Sequence, residues 1–412
     1  MSWFGPGVVL QFLCGPKSPP NNQSPNLPIT NLAGIYIHIP FCKQACSYCN
    51  FYFLTRDQLR QPFVDALIDE IHFYKDKPFV GETIRTIYFG GGTPSLLSVK
   101  QLQSILSALE SVFRIDSMET TIEMNPDDVS EQYLKHLKEL GFNRISMGVQ
   151  SFDPDLLKFM NRAHSPDEAD KALHLIQKTG FPSFTADLIY GNPGQSTESL
   201  EKDIDRLLSY NPPHVSAYSL TIEPKTRLGK QVELGRIDPV PDDIVESHFD
   251  LVVKKLKSAG IERYEVSNFA RPGREAVHNS NYWKHVNYLG LGPSAHSLHW
   301  RDGGAARWRN RPDLKFYLNR DWDSVKDEEE DLSLEILAEE RLMLGMRTVA
   351  GVSVRNLKEV YGYEFNQQQW QWLTLQQERG CVTLSDDTNT IQLTGKGLKI
   401  ADYIVLELIT RG

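Results

Sequence analysis

The sequence predicts an α/β fold built on a parallel sheet, followed by a winged-helix-like domain at the C-terminus. Three observations carry this. Short apolar, β-branched runs alternate with helical periodicity from residue 34 onward. Gly141, Gly180 and Gly260 each close a helical stretch just before the next apolar run, where a C-cap is expected. Beyond an acidic run at 321–331 the alternation stops, and helices with two short strands take over.

Taken in order, residues 1–33 are rich in Pro, Gly, Asn and Ser, and Pro16, Pro19, Pro20, Pro25 and Pro28 break any periodicity. They read as a flexible extension without chemistry, and Cys14 within it is given no role. Strands of a buried parallel sheet are expected at 35–39, 84–89, 121–124, 145–149, 184–189 and 215–220. Helices are expected around 63–74, 102–113, 133–140, 169–178, 200–208 and 248–256. Six βα units in succession mean helical crossovers on a parallel sheet, either open and doubly wound or closed as a barrel. This domain spans 34–318, and its part from 263 to 300 is irregular and crowded with Gly, His, Asn and aromatics. Residues 319–333 read as a solvated acidic linker. The C-terminal domain, 334–412, then holds helices at 334–346, 354–360 and 365–377, strands at 381–384 and 390–393, and a closing helix at 397–408. Cys381, entering an apolar strand, reads as a small buried hydrophobe.

With 412 residues, 40% hydrophobic and 24% charged, the chain has the composition of an ordinary globular protein with room for two or three domains. Its net charge of −9 argues against the basic footprint that nucleic-acid binding requires. The winged-helix-like part follows suit, with eight Lys/Arg against ten Asp/Glu from 335 to 412, so packing or partner docking suits it better than DNA. No stretch approaches the roughly 20 apolar residues of a membrane span. The run Val8-Val9-Leu10 lacks the basic flank and cleavage site of a signal peptide. Five cysteines, three of them clustered, suit an intracellular metal-binding chain better than a cross-linked secreted one. The expected location is the cytoplasm.

The three clustered cysteines, Cys42, Cys46 and Cys49, follow the first strand at x3 and x2 spacing. They stand too close together for a disulfide scaffold, and no fourth cysteine nearby completes a zinc tetrahedron. Thiolates favour soft metals and iron–sulfur clusters, and a four-iron cluster held by three of them keeps one iron open. Ligands of parallel βα folds meet the carboxyl ends of the strands. Those ends carry Gly90-Gly91-Gly92-Thr93, Glu123-Met124-Asn125, Gly148-Val149-Gln150 with Arg162 soon after, Asp187-Leu188-Ile189-Tyr190, and Tyr218-Ser219. Each has an ordinary reading alone: a Gly triplet turns a chain, a strand-end Glu caps or pairs, and Gln150 satisfies a backbone group. Together at six successive strand ends they describe a pocket for a polar ligand with an amino acid end and a ribose. S-adenosylmethionine (SAM) fits that description.

The cysteine run, with Tyr48 before the third Cys, resembles the radical-SAM superfamily. Tyr36-Ile-His-Ile-Pro-Phe-Cys, Gly-Gly-Gly-Thr-Pro-Ser, Gly-Val-Gln-Ser-Phe, Asn-Arg-Ala-His and Asp-Leu-Ile-Tyr-Gly-Asn-Pro-Gly-Gln narrow the likeness. They resemble the branch of the oxygen-independent coproporphyrinogen III dehydrogenase HemN and its relative, the heme chaperone HemW, from about Gly34 to the C-terminus. The resemblance implies a partial (β/α)6 radical-SAM barrel with a C-terminal winged-helix-like domain. It further implies a [4Fe-4S] cluster on Cys42, Cys46 and Cys49 with the free iron chelated by SAM. It implies SAM contacts from Tyr36, Gly91, Gly92, Thr93, Glu123, Gln150, Arg162 and Asp187.

Two details separate the siblings. Dehydrogenases of this branch carry a fourth Cys two residues after the third, where this sequence has Phe51. His278-Asn-Ser-Asn-Tyr282-Trp283 matches the H-N-x-x-Y-W signature associated with heme in the chaperone group. Neutral imidazole is a common axial ligand of heme iron, and Tyr and Trp offer flat apolar surface. An arbitrary His with aromatics around it is more often core, and the signature is what favours heme here, whether His278 ligates or only shapes the pocket. His285, His296 and His299 are the rivals, and His38 is expected in a hydrogen bond behind the cluster or SAM. The expected function is heme binding and delivery to unidentified acceptor proteins, without nucleic acid or a stable membrane span. The alternative is oxidative decarboxylation of coproporphyrinogen III, which Phe51 disfavours, so enzymatic activity stays open.

Overall fold

The computed structural model describes residues 32–412 apart from 386 and 388. The extension expected at 1–33, including Cys14, falls almost wholly outside the described residues.

The barrel half runs β1 (Leu32–Ile39), α1 (Arg60–Phe73), β2 (Thr83–Gly91), α2 (Val99–Val112), β3 (Arg114–Met124), α3 (Glu131–Glu139) and β4 (Arg144–Gln150). It continues through α4 (Pro154–Phe159), α5 (Pro166–Lys178), β5 (Ser183–Tyr190), α6 (Thr197–Leu208), β6 (His214–Ser219), α7 (Arg227–Glu233) and α8 (Asp242–Ser258). The expected strands and helices are all present, and Gly141, Gly180 and Gly260 sit at φ of 89°, 61° and 72° after α3, α5 and α8. Serine caps start many of the helices: Ser98 and Ser165 form full capping boxes on α2 and α5, and Ser130 and Ser196 cap α3 and α6.

After α8 come β7 (Glu262–Arg263), β8 (Asn268–Ala270), α9 (Val277–Trp283), β9 (Asn287–Leu291), β10 (His296–Arg301) and β11 (Gly304–Asn310). Short helices α10 (Leu314–Tyr317) and α11 (Trp322–Val325) lead to β12 (Lys326–Ser333). All twelve strands form one sheet, ordered β12-β11-β10-β9-β1-β2-β3-β4-β5-β6-β8-β7. β9 pairs with β1 in parallel, so it adds a seventh parallel strand to the six expected. The seventh is hard to read from sequence because Asn287-Tyr-Leu-Gly-Leu291 is short and lies in a Gly- and His-rich stretch.

Residues 319–333 differ from the expected linker, since β12 is an edge strand paired antiparallel with β11. Its carboxylates are balanced by arginines on β10 and β11: Glu330 by Arg307 at 2.7 Å, Glu328 by Arg309 at 2.7 Å, and Asp331 by Arg301. A like-charge run tolerates a ladder when the neighbouring strands carry the opposite sign, and a charged edge also resists pairing with other chains.

The C-terminal unit holds α12 (Leu334–Gly345), β13 (Val352–Ser353), α13 (Val354–Tyr361), α14 (Gln367–Glu378), β14 (Val382–Ser385), β15 (Thr390–Leu393), α15 (Gly395–Lys399) and α16 (Ala401–Ile409). The wing has three strands, since the two-residue β13 pairs with β15 and is too short to leave a pattern. Cys381 is buried at 2% exposure. Tyr288, Leu298 and Ala305 of the large sheet share one core with Leu337, Leu342, Leu357 and Ile404 of this unit. Among the described residues no helix is long and apolar enough to cross a membrane.

Past the register shifts near their amino ends, the first parallel strands alternate. Ile35, Ile37, Ile39, Ile87, Phe89, Ile145, Met147 and Val149 pack outward into the core beneath the helices. The intervening residues, Gly34, Tyr36 and His38 on β1, Thr86 and Tyr88 on β2, Glu119 and Glu123 on β3, and Arg144 and Ser146 on β4, face the other way. A barrel whose lumen is lined by polar side chains is a place for a ligand rather than a packed core.

Candidate functional site

A cavity of about 190 Å³ opens at the carboxyl ends of the parallel strands. Cys42, Cys46, Cys49, Gly91, Gly92, Thr93, Glu123, Gln150, Arg162 and Asp187 all line it. Tyr36 does not: it stacks on Tyr88 at 6.0 Å, and its hydroxyl lies 3.2 Å from His38 Nδ1. Asn125 and Tyr218, named at the strand ends, line it too, while Ser146, in the middle of β4, and Glu223, beyond β6, line it without having been singled out. Phe51 stands in the lining at 39% exposure.

The cysteine loop is held from several sides. Cys42 N–H donates to Leu54 O at 3.0 Å, Ser47 N–H to Met160 O at 3.0 Å, and Leu228 N–H of α7 to Ser47 O at 2.8 Å. The glycine turn hugs the same loop, with Gly92 N–H on Ile39 O at 2.8 Å and Thr93 N–H on Phe41 O at 2.6 Å. A Cβ on Gly92 would lie 2.6 Å from Phe41 O, and one on Gly91 would lie 2.6 Å from the His38 ring, so side chains are excluded at both. His38 is buried, its Nε2 lies 2.8 Å from Tyr52 O, and burial pushes it down to about 4, so it is a neutral brace. Its place behind the glycine turn is that of a group outside the ligand shell.

Among the described residues no trio of His, Cys, Asp or Glu converges tightly enough for a single ion. The three thiols instead ring the cavity, which suits a multi-iron cluster because each thiolate then meets a different iron. Burial pushes the Cys42 thiol up to about 11 and the Cys49 thiol up to about 12. As thiolates they therefore need cationic charge in the cavity, which iron supplies. Arg162 aids from one side: Nη1 donates to Cys46 Sγ at 3.3 Å, and Nη2 to Asn125 Oδ1 at 2.6 Å and Gly148 O at 2.9 Å.

Polar atoms remain spare for a second ligand. Gln150 Oε1 and Arg162 Nε are buried without a protein partner. Gln150 holds φ at 68°, a conformation uncommon for any residue with a side chain and frequent at functional sites. Ser151 and the Phe152 N–H, both on buried Asp203 at 2.5 and 2.9 Å, pin the chain just after it. Burial pushes Glu123 up to about 7 while the Tyr88 hydroxyl at 2.8 Å and Gly91 N–H at 3.1 Å pull back. Burial likewise pushes Asp187 up to about 6, opposed by Ser216 and the more distant Arg162 and Arg144. Two buried carboxyls of this kind welcome a cation, and SAM carries both an ammonium and a sulfonium. The residues fit a three-thiolate cluster and SAM.

The heme signature lies on α9, set in the barrel floor away from the cavity. Glu119 Oε2 accepts Val277 N–H at 3.0 Å and Oε1 accepts His278 N–H at 2.8 Å. Arg341 of α12 holds the other end through Trp283 O at 2.9 Å. Both His278 nitrogens are engaged, with Thr86 Oγ1 and the Tyr282 hydroxyl each at 2.8 Å, and the residue is 1% exposed. As it stands, the ring has no position for iron. Tyr282 and Trp283 are half-buried. Among the described residues no histidine lines the cavity. His285 sits 3.2 Å from the Tyr361 hydroxyl, His299 sits 3.4 Å from Glu82, and burial pushes His296 down to about 4.

Comparisons with known proteins agree with this layout. The radical SAM superfamily model matches residues 36–207, and the HemN C-terminal domain model matches 332–399. The heme chaperone HemW of Bacillus subtilis is 36% identical over 340 residues, which is 79% of this chain and 86% of the relative. That of Lactococcus lactis is 33% identical over 373 residues, covering 90% and 95%. A mitochondrial radical S-adenosyl methionine domain-containing protein 1 of Danio rerio is 30% identical, covering 90% and 86%. The solved structure of coproporphyrinogen III oxidase (HemN) from Escherichia coli superposes with a TM-score of 0.78 at 24% identity, covering 92% of this chain and 90% of that one, and shows the shared fold.

Proposed function

The chain belongs to the HemW family of heme chaperones within the radical-SAM superfamily, and on that premise we propose that it binds heme and hands it to acceptor proteins. Phe51 is the observation that carries this reading past the family: an apolar ring, 39% exposed, stands in the cavity where a decarboxylating relative would carry a fourth cysteine.

In this reading Cys42, Cys46 and Cys49 hold a [4Fe-4S] cluster, and Gly91, Gly92, Thr93, Glu123, Gln150, Arg162 and Asp187 hold SAM, with Tyr36 supporting from behind. When bound, the cluster supplies an open iron and one-electron redox chemistry. The chain's own part is to keep the thiols around one cavity, to offer carboxyls to the cationic ligand and to exclude water. Heme meets the protein at the α9 signature that runs from His278 to Trp283, through the half-buried Tyr282 and Trp283. Acceptor proteins and a cytoplasmic location belong to the same reading, and the net charge of −9 leaves nucleic acid out of it.

The second reading, coproporphyrinogen III decarboxylation, draws on the same cavity and the same cluster and SAM residues. One anaerobic preparation, reconstituted with iron and sulfide, separates the two. Stoichiometric heme uptake without protoporphyrinogen formed from coproporphyrinogen III, SAM and reductant is the expected result. Robust turnover would defeat the chaperone reading.

A further inference from the structure

We infer that His278 is a positioning residue that seats α9 in the barrel floor, and that it is not the ligand of heme iron. The inference rests on the heme reading above and sharpens the part the signature plays in it.

An axial imidazole needs one free ring nitrogen and room for a macrocycle beyond it. His278 offers neither. Its Nδ1 is 2.8 Å from Thr86 Oγ1 and its Nε2 is 2.8 Å from the Tyr282 hydroxyl. One face stacks on Tyr88, with centroids 5.1 Å apart and planes at 26°, while Tyr282 meets it edge-on at 5.1 Å. The β1 backbone presses on the ring as well: a Cβ on Gly34 would lie 3.2 Å from both Cε1 and Nδ1 of His278. The backbone N–H of His278 is separately held by Glu119 on β3. The imidazole is thus boxed by β1, β2 and its own helix, at 1% exposure.

The same contacts give His278 a purpose. Tyr88, on which it stacks, donates its hydroxyl to Glu123 at 2.8 Å, and Glu123 accepts the Gly91 N–H at 3.1 Å. The chain His278–Tyr88–Glu123–Gly91 runs from the signature helix to the lining of the SAM cavity. Seated by His278 at its start and by Arg341 at Trp283, α9 has a defined height and rotation against that lining. The signature then contributes heme surface through its outer end, Trp283, while its histidine sets where that end stands.

The test uses the full chain with and without heme. Hydrogen exchange on heme-free protein reads the seat directly: in His278→Ala the amides of Val277–Trp283 exchange about tenfold faster or more, as loss of buried hydrogen bonds requires. His278→Gln, whose amide can both donate and accept, recovers much of that protection. Heme titration followed by visible absorption reads the ligand: His278→Gln keeps the wild-type Soret position, with uptake weakened less than in His278→Ala. Tyr282→Phe, which frees Nε2, loosens α9 and leaves the spectrum in place. Wild-type exchange rates on α9 in His278→Ala would overturn the inference. So would a changed axial-ligand spectrum in His278→Gln, or tighter heme uptake in Tyr282→Phe. A wild-type protein that takes up no heme would end the heme reading, and exchange alone would then decide the seat.

Discussion

Arg307 Nη1 on β11 and Glu340 Oε1 on α12 lie 2.9 Å apart, with side chains 7% and 2% exposed. This ion pair joins the large sheet to the C-terminal unit inside their common core, and His285 Nε2 approaches the same Glu340 at 3.5 Å. Glu340→Ala leaves the buried Arg307 only its half-exposed partner Glu330 and should therefore lower unfolding stability by about 3 kcal/mol, the low end for a broken buried pair, with Glu340→Gln closer to wild type. Denaturant melts check this, and a loss near the surface-mutation range of about 0.5 kcal/mol would contradict the buried-lock picture.

Single replacement of Cys42, Cys46 or Cys49 by Ala should leave the reconstituted protein with little bound iron and sulfide. Cys381→Ala should load normally, because that thiol is buried in the C-terminal core. Iron and sulfide content with visible absorption decides it, and full loading of any of the three single variants would refute the three-thiolate site.

SAM affinity should rise as pH climbs through the interval from about 6 to about 7, because Asp187 and Glu123 must ionise to meet a cation. In the ligand-free protein the sign reverses. The folded chain holds the Glu123 proton more tightly than the unfolded chain, so this contribution to stability falls as pH rises from 4.5 through about 7. Calorimetric titration across that interval, repeated on Glu123→Gln, tests both; affinity falling with pH would reject the carboxyls as the cation's partners.

Gly92→Ala would push a methyl to 2.6 Å from Phe41 O and 2.8 Å from Ile39 O, both backbone atoms with little freedom to yield. Overpacking of this kind costs about 1–3 kcal/mol. Here it parts the glycine turn from the cysteine loop, so cluster loading should fall together with melting temperature. A variant that melts and loads like wild type would show that the two loops are not coupled.

Much of this was legible because parallel strands write themselves plainly. The six expected strands fall on β1–β6, with only Leu220 beyond a strand end, and every cysteine and SAM contact named for the cavity lines it except Tyr36, which stacks on Tyr88 instead. What stayed hidden was non-local. β9 joins the parallel set across β1, and nothing in Asn287–Leu291 says which strand it will meet. The acidic run of β12 looks like a solvated linker until Arg301, Arg307 and Arg309 are seen on the strands beside it. His278 illustrates a different limit: a signature names the residue, but only the surrounding Thr86, Tyr88 and Tyr282 say what its nitrogens are doing.

The seat of α9 also makes the two ends of the barrel unlike. Glu119, Thr86, Tyr88 and His278 bond or stack with one another toward the amino ends of the strands, while the cavity lies at the carboxyl ends beside Phe51. The two ends of the barrel therefore differ in kind, one filled by side chains and one left for a ligand. Bulk added at α9 reaches the cavity only by way of that filled layer.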